Sequence, residues 1–162
     1  MKELREFKEH AKEKGACDAY LEKWDKCGSK KQLIDLALSA QGMDYLSTSI
    51  SEGWGLNSTY IFNTFRKYIN GEYIFRNEKG YDSMMFCNFI GSIEAVTTGI
   101  LIIDSNIFVE VPKGHICEIY ACGNNSIHIS GQGEAVLVIY GDNNEIVYSE
   151  ETKIKKICKT TK

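Results

Sequence analysis

Tyr120-Ala-Cys-Gly-Asn-Asn-Ser-Ile-His-Ile-Ser130 and Ile139-Tyr-Gly-Asp-Asn-Asn-Glu-Ile-Val-Tyr-Ser149 decide how this chain is read. Set in register at an offset of 19, they superpose Asn124 on Asn143, Asn125 on Asn144, Ile127 on Ile146 and Ser130 on Ser149. One step back, at an offset of 20, Asn106, Ile107 and Val109 fall over Ser126, Ile127 and Ile129. A repeat of that length, with two short strands and polar turns, is the unit of a β-solenoid. One coil cannot bury its apolar face alone, whereas stacked coils share an interior. Asparagines at equivalent turns can hydrogen-bond along such a stack. Antiparallel strands in a β-sandwich recur at similar spacing, so the sandwich is the alternative.

Outward from the repeat, period-2 patterning extends back to Glu72. Glu72 to Arg76 and Tyr81 to Phe89 flank the turn Asn77-Glu78-Lys79-Gly80 and read as a hairpin. The first seventy or so residues follow helical spacing instead. Leu4, Phe7 and Ala11 mark a first helix ending at Gly15; Cys17, Leu21 and Trp24 mark a second ending at Gly28. Ser29 and Gln32 form a capping box for a third helix from Lys30, carrying Leu33, Ile34, Ala37 and Leu38 inward and ending at Gly42. A fourth is expected over 43–51. A fifth, capped by Asn57 or Ser58, carries Ile61, Phe62, Phe65 and Ile69 and closes at Asn70-Gly71. The expectation is an α+β chain: a small helical bundle over 1–71, then a β-rich region over 72–162, solenoid-like or a sandwich. In the solenoid reading the helices would cap one end, and Lys153-Ile154-Lys155-Lys156 would guard the other or meet a second subunit.

The 162 residues are 43% hydrophobic and 25% charged, as in an ordinary globular protein, and the net charge of −3 provides no excess for polyanion binding. The aliphatic runs Ile100 to Ile103 and Ala135 to Tyr140 fall far short of the roughly 20 residues of a membrane span. MKELREFKEHAKEKG lacks an apolar h-region, so the expected setting is cytoplasmic. Cys17, Cys27, Cys87, Cys117, Cys122 and Cys158 are then expected to be reduced thiols acting as small buried hydrophobes. Ile, Lys, Asn and Tyr make up a third of the chain and have AT-rich codons, which points to a low-GC bacterium or its phage.

Catalytic signatures fail one by one. Neither G-x-S-x-G, G-x-x-x-x-G-K-[ST] nor H-E-x-x-H occurs. Gly131-Gln132-Gly133 lacks the third glycine of a dinucleotide fingerprint and leads into a strand. His115, Cys117 and Cys122, with His128 beyond, have poor spacing for zinc; the two cysteines differ in parity and face opposite ways on one strand. His10 and Cys17 are too far apart along the helix for a nucleophilic pair, and Asp44 and Glu52 read as solvated carboxylates. No catalytic residue, cofactor or metal ligand is therefore assigned. The fifth helix and the hairpin have the order of a winged helix-turn-helix, but residues 32–65 hold no Lys or Arg with which to grip phosphates. Nucleic acid is not an expected partner.

Ser51-Glu52-Gly53-Trp54-Gly55-Leu56 is the most unusual loop. Glu52, Trp54 and Leu56 are candidate protein-contact residues, because Trp is a favoured interface anchor and this one sits on a glycine-flanked loop. Against that, a large aromatic at a helix junction packs inward as a plug. From Gln32 to Tyr81 the segments QGMDYL, EGWGLN and YINGEY, leading into a β-rich tail, resemble small uncharacterised proteins of gut-type bacteria and their phages. That resemblance implies a setting and no mechanism. The expected function is a non-enzymatic protein-binding or self-associating assembly module. The alternatives are a phage-type inhibitor of a host defence or nucleic-acid-handling protein, and a small enzyme whose site is assembled from scattered residues.

Overall fold

A computed structural model describes residues 2–159. Five helices come first: α1 (Lys2–Glu13), α2 (Asp18–Asp25), α3 (Lys30–Leu38), α4 (Ala40–Ser51) and α5 (Ser58–Thr64). Ten strands follow: β1 (Phe75–Arg76), β2 (Asp82–Cys87), β3 (Ile90–Glu94), β4 (Gly99–Ile103), β5 (Asn106–Glu110), β6 (Ile116–Cys122), β7 (Asn125–Ser130), β8 (Glu134–Tyr140), β9 (Asn144–Tyr148) and β10 (Lys153–Lys159). The strands alternate between two sheets: β1-β2-β4-β6-β8-β10, here sheet A, and β3-β5-β7-β9, here sheet B. Apart from the β1–β2 hairpin, every neighbouring pair is parallel. This is a β-solenoid of about four turns, and the parallel pairing excludes the sandwich.

The repeat seen in sequence is the strand register. Ile107 pairs with Ile127 and Ile127 with Ile146, along one line of sheet B. Those isoleucines point inward, onto Ile100, Ile102, Ile119 and Leu137 of sheet A, in a single apolar interior. At the turn between the sheets, polar side chains tie successive coils together. Ser105 Oγ accepts from Phe89 N at 3.0 Å, and Asn125 Oδ1 accepts from Ser105 N at 2.8 Å. Asn125 Nδ2 donates to Asn144 Oδ1 at 2.8 Å, and Asn144 Nδ2 donates to Tyr140 O at 2.9 Å. The residue that enters this turn is left-handed in every coil: Asn88, Asp104, Gly123 and Gly141. Gly131 marks the opposite turn, with φ +96° and the Val111 carbonyl 2.2 Å from where a Cβ would sit. The Gly131-Gln132-Gly133 stretch is thus a tight connection from β7 to β8.

Sheet A is apolar on its outer face as well, and the helices cover it. Met85, Leu101, Ile103, Cys122, Val138 and Tyr140 form one core with Ile34, Leu38, Met43, Leu46, Ile61, Phe65 and Ile69. The helices therefore lie along the side of the solenoid, from β2 across to β8, and the expected end cap is corrected. Asn70, itself left-handed at φ 57°, fastens the last helical segment to β2: its side chain accepts from Cys87 N at 2.8 Å and donates to Cys87 O at 3.1 Å.

Two helix boundaries differ from expectation. Gly42 does not end α3; it lies in the first turn of α4, where Ser39 is the N-cap and its Oγ accepts from Gly42 N at 3.1 Å. The glycine is needed for close approach, because a Cβ there would stand 1.8 Å from Leu36 O. Phe65 and Ile69 lie beyond α5, flanking a 3-10 turn over Arg66–Tyr68, yet both are buried as expected.

Three substitutions test this architecture by urea unfolding. Ile127→Ala should cost about 2–5 kcal/mol, the usual range for truncating a buried isoleucine. Asn125→Leu leaves Ser105 N unpaired in the interior and should cost about 1–3 kcal/mol. An Asn125→Leu protein as stable as wild type would show that the ladder does not pin the turn. Gly42→Ala should destabilise by about 1–3 kcal/mol, because the obstructing atom is backbone and cannot swing away.

Candidate interaction surfaces

The Trp54 loop leaves α4 at Glu52 and reaches the Asn57 cap of α5 through Gly53 and Gly55, both with positive φ. Trp54 N donates to Ser49 O at 2.9 Å, which turns the indole back under the helices. There it meets the Tyr45 ring edge to face, with centroids 5.5 Å apart. Trp54 is only 7% exposed, so it is a plug and presents no indole at the surface. Glu52 is exposed; Leu56 is half-buried against the helix-side core. The three candidate residues therefore do not form one surface.

Trp54 and Leu56 both line an apolar cavity between the helices, about 70 Å³ in volume. A dry cavity that takes up benzene measures roughly 150 Å³, so this one is a packing gap. On the other side of the loop a groove of about 400 Å³, with a mixed lining, separates Leu56 and Asn57 from the solenoid turns Asp104, Asn124, Asp142 and Asn143. Asp104 is already engaged there, with Oδ1 accepting from Asn124 N at 2.7 Å.

Residues weighed for catalysis are dispersed. His10 Nε2 lies 3.4 Å from Gly53 O, and Cys17 is the exposed N-cap residue of α2. Asp44 accepts the Tyr140 hydroxyl, while Glu52 is exposed beyond the end of α4. His115 Nε2 sits 2.9 Å from Thr97 O. Cys117 belongs to the solenoid interior and Cys122 to the helix-side core, so the parity argument holds and the two thiols point to opposite faces of sheet A. Among the described residues no group of three or more His, Cys, Asp or Glu converges. The β1–β2 hairpin is not a free wing, since β2 pairs along β4 from Ser83 to Cys87. Arg66 stands over the Phe62 ring, 4.9 Å from its centroid.

The cysteines correct one expectation: only Cys87, Cys117 and Cys122 are buried, whereas Cys17 and Cys158 are exposed and Cys27 is half-buried. Burial pushes the Cys87 and Cys117 thiols up to about 12 and the Cys122 thiol higher still.

What the side chains do leave open is the outer face of sheet B. Three columns run across it. The first is Ile90, Asn106, Ser126 and Glu145; the second Ser92, Phe108, His128 and Val147; the third Glu94, Glu110 and Ser130. Ile90 is 84% exposed, and Phe108 and Val147 are each 51% exposed. Phe108 and His128 stack along the second column with centroids 5.1 Å apart. From sequence this face is assigned no role; its signal is the alternation of exposed and buried residues in NIFVE and NSIHIS.

Comparison with family models, curated proteins and solved structures finds no match.

Two measurements follow from these placements. Trp54→Ala should cost about 3–5 kcal/mol in thermal or urea unfolding, as for a buried large aromatic; a change below about 0.5 kcal/mol would restore a surface role. Maleimide labelling of the native protein at pH 8, read by mass spectrometry, should modify Cys17 and Cys158 and spare Cys87, Cys117 and Cys122. Burial raises those three pKa values, so the reactive thiolate is scarce at that pH and the sulfur is shielded.

Proposed function

We propose that this protein is a non-enzymatic binding module whose partner is another protein docked on the outer face of sheet B. One observation carries the reading. The helices cover the outer face of sheet A, while the parallel face of sheet B keeps Ile90, Phe108 and Val147 in solvent. Exposed apolar groups gathered on one face, here with the Phe108–His128 stack between Ile90 and Val147, and rimmed by polar ones mark interaction sites. Here the rim is acidic, from Glu94, Glu110 and Glu145, so the complementary partner carries an apolar centre flanked by Lys or Arg. The resemblance of the 32–81 segments suggests a bacterial or phage setting, in which inhibition of a host protein is one form such binding takes.

The test is a variant carrying Ile90→Ser and Phe108→Ser together. Both sites are exposed, so the fold should lose little stability, within about 1 kcal/mol. Wild type should form a heteromeric complex of defined stoichiometry with a bacterial protein, measured by light scattering, and the variant should lose it. A complex that the variant retains would refute the sheet-face reading.

A further inference from the structure

We propose that β10 is an acceptor strand: an extended acidic segment of a partner adds to sheet A beside it. The inference rests on the reading of the protein as a binding module, but it uses a different surface. β10 is outermost in sheet A and pairs with β8 along its whole length, Lys153 to Glu134 through Lys159 to Tyr140. Its other edge faces no strand among the described residues, which leaves a row of backbone donors and acceptors to be used. The strand is as long as any in the solenoid, and every residue from Lys155 to Lys159 is exposed. The helix-side core reaches sheet A only as far as Val138 and Tyr140 on β8, so no helix roofs the edge.

Charge selects the occupant. Lys153, Lys155, Lys156 and Lys159 all lie on this strand. Only Lys159 has an ion-pair partner among the described residues, Asp44 at 3.9 Å. Two copies pairing antiparallel about their centres would set Lys153 against Lys159 and Lys156 against its own counterpart. Like charges directly opposite are destabilising, so these lysines refuse a second copy of the chain. The same charges favour a segment with Asp or Glu at alternate positions, facing Lys153, Lys155 and Lys159. Main-chain pairing then supplies affinity and the side chains supply selection, as in other strand additions.

The experiment uses the full chain and two fluorescein-labelled heptapeptides, Glu-Val-Glu-Val-Glu-Val-Glu and Glu-Pro-Glu-Val-Glu-Pro-Glu, followed by fluorescence anisotropy. They carry equal charge, but proline removes backbone donors needed for strand pairing. The first peptide should bind saturably, about tenfold or more tighter than the second, and more weakly as salt rises. Replacing Lys153, Lys155 and Lys156 together by Glu should abolish binding while the circular dichroism spectrum stays as in wild type. If that variant fails to fold, the corresponding Gln variant should weaken binding about tenfold. Equal binding of the two peptides, no saturable binding, or binding retained by the lysine variant overturns the proposal. So does a wild-type dimer that the lysine substitutions dissociate, which would give the edge to a second copy. The peptides probe the edge alone, so their failure leaves the sheet-face reading to its own test.

Discussion

Sheet A has two apolar faces, and each needs a different cover. Along β4 inward and outward residues are buried alike: Ile100 and Ile102 face sheet B, while Leu101 and Ile103 face the helices. A parallel sheet with that pattern is stable only as a middle layer. The β half supplies one cover by coiling back on itself as sheet B. The helical half supplies the other. The solenoid and the helices are therefore joined by a shared core, with α4 lying over β6 and β8 and with α3 and α5 against β2.

That division of labour explains why the two sheets present such different surfaces. Sheet B has an interior face of Ile107, Val109, Ile127 and Ile129 and an outer face alternating with it in strict parity. Among the described residues nothing in the helical half covers that outer face, and Ile90, Phe108 and Val147 are exposed. A mixed face of Ser, Asn, Glu and a few apolar groups is tolerated there, because the other face of sheet B is packed into the solenoid interior. The end of the stack is managed differently. At β10, Lys155, Lys156 and Lys159 stand in register beside Val136, interior Leu137 and Tyr140 of β8.

Particular residues show how much was legible beforehand. Asn125 and Asn144 are visible as a matched pair because the same amide at the same turn hydrogen-bonds from one coil to the next. Ser105, which extends that ladder, was invisible as an identity, since a hydroxyl does the work of an amide there. Gly42 is ambiguous in sequence for a physical reason: glycine serves equally as a helix terminator and as a point of close backbone approach. Only the Leu36 carbonyl beside it distinguishes the two. The continuous apolar runs 100–103 and 135–140 did carry the signature of burial on both faces, but the partner for the second face lay in the other half of the chain.

Periodicity, turn residues and the repeat near twenty depend on neighbours in sequence, and these determined the helices, the strands and the in-register stack. They act through local backbone preference and the stacking of equivalent positions, so they are written where they act. Which surfaces remained free was settled only by tertiary packing. The helices could have lain on an end of the solenoid or on either sheet, and their amphipathic patterns are compatible with each. Burial of Met85, Leu101, Ile103 and Val138 chose sheet A, took Trp54 inside, and left sheet B and the β10 edge to solvent. Such a choice depends on the sum of apolar area removed from water across distant segments, a quantity that no local pattern contains.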